Sequence, residues 1–231
     1  MRLFITHDAP APHWQLGAPS SKRGAFALIG WSSDALESGV PERIVDVLAR
    51  SLAAFGRVTF ACSTISAADT PGWQMQGSDF VTRCRTRSGL GRIAARFLAR
   101  APVDLVLLST ASEQAVRGLF NDAGYPWWGQ GQFVLISSAG ASPPDFDSIA
   151  FDPATLFARE WSESFGRLPP LGVQAMLRPG VDGDLAGLLC ASSEVRDRLE
   201  AILSRCAEES GVSVQRVSEA EFVDAVASST S

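Results

Sequence analysis

Two histidines, one lysine and one tyrosine are all that the 231-residue sequence contains of those types, and these shortages exclude more chemistry than any motif present invites. A Walker-type phosphate loop needs its lysine after a glycine-rich turn. The single lysine, Lys22, stands in Ser20-Ser21-Lys22-Arg23-Gly24 without that context, so ATP hydrolysis of that kind is excluded. No Gly-x-Gly-x-x-Gly follows a predicted strand, and no NAD, FAD or other cofactor is expected. No Gly-x-Ser-x-Gly elbow is present to seat a serine nucleophile. Four cysteines, Cys62, Cys84, Cys190 and Cys206, lack any CxxC or zinc-like spacing. They read as small apolar residues, and neither a metal site nor a disulfide framework is expected.

Long hydrophobic runs are missing too. The longest predominantly apolar stretches, such as Val103 to Leu108 and Phe133 to Ile136, fall far short of the roughly 20 residues that cross a bilayer. Polar residues interrupt the N-terminal Met1-Arg2-Leu3-Phe4-Ile5-Thr6-His7-Asp8 before a secretory core could form, so a soluble, cytoplasmic protein with no membrane partner is expected. With a net charge of −5, the chain gives no general reason to expect nucleic acid. The near-absence of lysine makes the positive charge almost all arginine, which a GC-rich genome produces without functional pressure.

What is there is an ordinary globular composition, 46% apolar against 19% charged, enough to bury a substantial core. Short apolar runs alternate with helical stripes, the pattern of βαβ units. Strands are predicted at Leu3–Thr6, Phe26–Trp31, Val58–Cys62, Val103–Leu108, Gln132–Ser137, Val173–Leu177, Ala186–Ala191 and Val212–Val217. Between the second and third, Ile44, Leu48, Leu52 and Phe55 recur at helical spacing after Pro41 and stop at Gly56. Further helices are predicted over Leu90–Leu98, after Ser112, after Asp152-Pro153 and through Val195, Leu199, Ile202, Leu203 and Cys206. A closing helix starts at Ser218, whose pairing with Glu221 is a capping box. Periodicity vanishes between Ser63 and Ser88, which reads as a long loop. The expected fold is α/β: a mainly parallel, three-layer sheet flanked by helices. Pro169-Pro170 marks the best boundary, dividing a main domain (1–168) from a C-terminal β-α-β-α module (169–231) packed on the same sheet.

In such sheets ligands bind beyond the carboxyl ends of strands, which selects His7, Asp8 and Ser137 as candidate catalytic residues. A histidine beside a carboxylate can serve as an oriented general base. Any Ser–His pairing must use His7 or His13, the only histidines. A second candidate is Arg83-Cys84-Arg85-Thr86-Arg87-Ser88-Gly89-Leu90-Gly91-Arg92, an acid-free stretch at an expected helix start. There Arg85, Arg87 and Arg92, with free backbone N–H groups, could hold a phosphate or carboxylate. The third is the turn-rich Tyr125-Pro126-Trp127-Trp128-Gly129-Gln130-Gly131, in which Trp127 and Trp128 form either a recognition surface or a hydrophobic plug. Two functions from different classes follow. One is binding of a small anionic molecule, with hydrolase or transferase chemistry as the default. The other is a non-catalytic interaction or assembly protein whose partner docks on the tryptophan loop.

Overall fold

A computed structural model describes residues 1–7, 25–32, 41–63, 80–85, 104–122, 133–151, 155–156, 164–179 and 185–227, with 61–63, 80–85, 104–106, 121–122, 179 and 226–227 described by backbone alone. The chain order is β1 (Arg2–Thr6), β2 (Ala25–Ser32), α1 (Glu42–Phe55), β3 (Gly56–Ser63), β4 (Phe80–Arg85), β5 (Asp104–Thr110), α2 (Glu113–Asp122), β6 (Phe133–Ser138), β7 (Val173–Pro179), β8 (Leu185–Cys190), α3 (Ser193–Glu209), β9 (Ser213–Arg216) and α4 (Glu219–Ala227). Short 3-10 turns at Phe146–Ile149 and Pro169–Leu171 lie in the long β6–β7 connection.

The strands form one nine-stranded sheet in the order β4-β5-β3-β6-β7-β8-β2-β1-β9. Among the described residues only β1 and β9 pair in parallel, and every other neighbouring pair is antiparallel. The expectation of a mainly parallel sheet is therefore wrong, and the reason lies in what a helical crossover fixes. Strand directions traced through the pairings show that β2 and β3, β5 and β6, and β8 and β9 each run the same way, as strand–helix–strand connections require. The two members of each pair are not neighbours. β3 sits between β5 and β6, and β2 with β1 sits between β8 and β9. The chain repeats one order three times, an antiparallel hairpin followed by a helix and a strand, and it closes the gaps of one unit with strands of another.

Side-chain alternation sends each strand's residues to two cores. On one face Leu3, Ile5, Ala27, Ile29, Phe60, Val134, Ile136, Ala175, Leu177 and Leu188 pack under α1, α2 and α3. On the other, Phe4, Leu28, Leu135, Met176 and Leu189 meet Phe222 of α4 together with Phe146, Phe151, Phe165 and Leu168 of the β6–β7 connection. α1 is the middle helix of its layer, packed against both α2 and α3, and Ile44, Val47, Leu48, Leu52 and Phe55 are all buried at helical spacing. The Phe60 and Phe120 rings meet edge-on at 5.1 Å, fixing α2 to β3; such pairs contribute about 0.5–1.5 kcal/mol beyond burial. Polar ties hold α1 to its neighbours: Arg117 reaches Asp46 at 3.0 Å, Arg50 pairs with Glu209, and the Arg198 guanidinium lies 5.0 Å from the Phe55 ring.

One further departure from expectation is local. Phe80–Arg85 is a strand, although the surrounding residues read as loop. Among the described residues it is an edge strand that pairs with β5 alone, and its pattern Phe80-Val81-Thr82-Arg83-Cys84-Arg85 carries polar residues in both alternation sets. The C-terminal strands join the same sheet: β7 pairs with β6, β8 with β2 and β9 with β1. The predicted helix at Leu90–Leu98, and most of the one after Asp152-Pro153, lie outside the described residues.

Candidate functional site

The polar centre with the most complete geometry is one that strand-end reasoning reached only through His7. β1 ends at Thr6, and alternation from Leu3 and Ile5 places His7 on the face covered by α3. On α3 the buried residues Leu199, Leu203, Cys206 and Ala207 define the inward side, and Glu200 falls within it, only 2% exposed. A lone buried carboxylate would be costly. This one is surrounded. His7 Nε2 lies 2.5 Å from Glu200 Oε1, Arg216 Nη2 donates to Oε2 at 2.7 Å, and Arg196, one helical turn earlier, places Nε 3.8 Å from Oε1. Arg216 is delivered by the β9 register, in which it is the Cα partner of Ile5, two residues before His7.

The four side chains differ in what they offer a ligand. Arg196 is 19% exposed and is already engaged by Asp197, which accepts from Nε at 3.1 Å and from Nη2 at 2.8 Å. His7 is 31% exposed and Arg216 68%. Because a carboxylate only accepts, Nε2 of His7 carries the proton of the shared hydrogen bond, and Nδ1 is left as the nitrogen that can take up another. Beneath the centre, at the end of β8, burial pushes the Cys190 thiol up to about 12, so it stays protonated and inert at neutral pH. Among the described residues no three His, Cys, Asp or Glu side chains converge as metal ligands.

Ser137 lies elsewhere. It is the penultimate residue of β6, on the opposite face, where the β6–β7 register shifts between Ile136 and Ser137, and it is completely buried. Its hydroxyl has no hydrogen-bond partner among the described residues. Four strand spacings separate β6 from β1, about 19 Å, so His7 and Ser137 form no pair. Arg85 ends β4, seven spacings from β1, about 34 Å away, and β4 runs opposite to β1. It cannot share a site with His7. Asp8, Arg87, Arg92, Trp127 and Trp128 lie outside the described residues.

Glu200, Arg196 and Arg216 were not singled out from the sequence. A signal for Glu200 did exist: an acidic residue at i−3 from Leu203 and i−7 from Ala207 breaks an otherwise apolar helical side. No family model, curated protein or solved structure matches this chain.

Proposed function

We propose that the protein is an enzyme of the hydrolase or transferase kind, acting on a small anionic molecule at the carboxyl end of β1, with His7 as its acid–base group. One observation supports this above the rest: a buried carboxylate, Glu200, lies 2.5 Å from Nε2 of a partly exposed imidazole. A carboxylate so placed fixes tautomer and ring orientation, which is the arrangement that general bases share. His7 Nδ1 takes a proton from an attacking water or hydroxyl and returns it to the leaving group, while Glu200 is a positioning residue. Ser137, buried and on the other face, has no part in this reading. The buried free thiols Cys190 and Cys206 suit a protein of the reducing cytoplasm.

The test is hydrolysis of small anionic esters and phosphate monoesters by the full chain, compared with His7→Gln. A positioned acid–base group contributes about 10²–10⁴-fold, so the variant should lose at least a hundredfold while its melting temperature stays close to that of the parent. Equal rates for the two proteins would overturn the reading.

A further inference from the structure

Resting on that reading of the site, we infer that Arg216 is its specificity-determining residue, recognising an oxyanion of the substrate, a phosphate or carboxylate group, through the guanidinium edge that Glu200 leaves uncovered. Among the described residues Glu200 is the one hydrogen-bond partner of the Arg216 guanidinium, through Nη2, and the side chain is 68% exposed, so one fork, the second Nη2 hydrogen together with Nε or Nη1, is not taken by Glu200. A guanidinium presents its donors as a planar fork suited to two oxygens of one oxyanion, and here the fork is held by a fixed partner at one corner rather than free to rotate.

The remaining charges select Arg216 over its neighbour. Arg196 and Arg216 balance Glu200 and Asp197, and Arg196 is the member whose donors are already shared between both acids. An incoming anion therefore meets Arg216 first. Alternation and register place it on the same face as Ile5 and His7, so an oxyanion bound there stands within about 7 Å, one two-residue strand repeat, of the imidazole. That is the distance across a small phosphorylated or carboxylated substrate whose reacting atom lies at Nδ1. Arg85, at the far edge of the sheet, is not part of this recognition.

The chain itself supplies the probe. With only two histidines, imidazole ¹⁵N signals can be assigned by comparison with His13→Gln. Inorganic phosphate and, separately, acetate are titrated into the full chain at constant ionic strength, with sodium chloride as control. At least one of the two oxyanions should shift the His7 signals saturably; which one does so identifies the group recognised. Arg216→Gln should raise the dissociation constant about tenfold or more, equivalent to about 1.4 kcal/mol. Arg216→Lys, which keeps the charge against Glu200 and so guards against a folding artefact, should fall between. Shifts no larger than those with chloride, or equal binding by Arg216→Gln, would overturn the inference. Glu200→Gln separates the two proposals: if it changes the His7 tautomer signature while phosphate and acetate bind nowhere near, the dyad stands and Arg216 recognition fails. If it leaves that signature unchanged, the acid–base reading fails first.

Discussion

His7 and Glu200 lie 193 residues apart in sequence and 2.5 Å apart in the fold, so the end of the first strand is held directly by the middle of α3. The neighbours of this contact grade its energetics. Glu200 is buried and its arginine partner Arg216 is largely exposed. Glu200→Gln keeps the shape but weakens three polar contacts, and it should cost about 1–3 kcal/mol. Arg216→Gln, losing one screened and mostly exposed ion pair while Arg196 and His7 still face the carboxylate, should cost less than about 1 kcal/mol. Urea unfolding of both variants gives the order, and a larger loss for Arg216→Gln would contradict it.

Glycine to alanine should have opposite signs at two positions. At Gly56, where α1 passes into β3, an added Cβ would stand 2.1 Å from the Ser137 carbonyl oxygen and 2.8 Å from the Ala139 nitrogen. The Ser137–Ala139 backbone would have to move, and a cost of about 1–3 kcal/mol or more is expected. At Gly118, inside α2, a Cβ meets nothing within 4 Å. There alanine should stabilise by about 0.5–1 kcal/mol, because it restricts the unfolded chain and suits a helix. Thermal melts of the two variants, moving in opposite directions from the parent, check the pair.

Ser137→Ala should leave the protein as stable as the parent or make it slightly more so. A fully buried hydroxyl without a partner among the described residues contributes a desolvation cost and no compensating bond. Chemical denaturation of the variant decides. A loss above about 1 kcal/mol would show that the hydroxyl is hydrogen-bonded after all.

Cys190 should make stability fall in alkali. Its thiol ionises near the ordinary 9.0 in the unfolded chain but only at about 12 in the fold, because burial disfavours the thiolate. Above pH 9 the unfolded state alone releases this proton, so the folded state loses relative stability as pH rises from 9 towards 12, and nothing changes below that window. Unfolding free energies of the parent and Cys190→Ala, measured from pH 7 to 10.5, should converge as pH rises. In the native protein at pH 8 the peptide containing Cys190 should resist iodoacetamide and become alkylated only on unfolding, as mass spectrometry would show.

Much of the local structure was legible. The stripe Ile44, Leu48, Leu52 and Phe55 announces α1, Gly56 its end, and Ser218 with Glu221 the start of α4, where both the Ser218 amide and hydroxyl do donate to Glu221 Oε2. Seven of the nine strands were visible as apolar runs, since a strand covered on both faces needs apolar residues in both alternation sets, and the edge strand β9 was visible through the alternating Val212 and Val214. The other edge strand, β4, was not visible, because its pattern carries polar residues in both sets. His7 could be chosen because histidine is scarce, and its carboxylate partner could not, because the adjacent Asp8 was the only candidate that sequence proximity offered.

By itself, then, the sequence determined where most of the described helices and strands form, which of their sides are apolar, and that strands joined through a helix run the same way. All three depend on interactions within a few residues. Only the tertiary structure decided which strands lie side by side, and so that the sheet is mainly antiparallel. A β-strand's hydrogen-bonding edges carry the same N–H and C=O groups whatever its side chains, so pairing is chosen by how the two cores close as a whole. The same closure brings Arg216 from β9 and Glu200 from α3 to His7 at the end of β1, and leaves Ser137 on the opposite face.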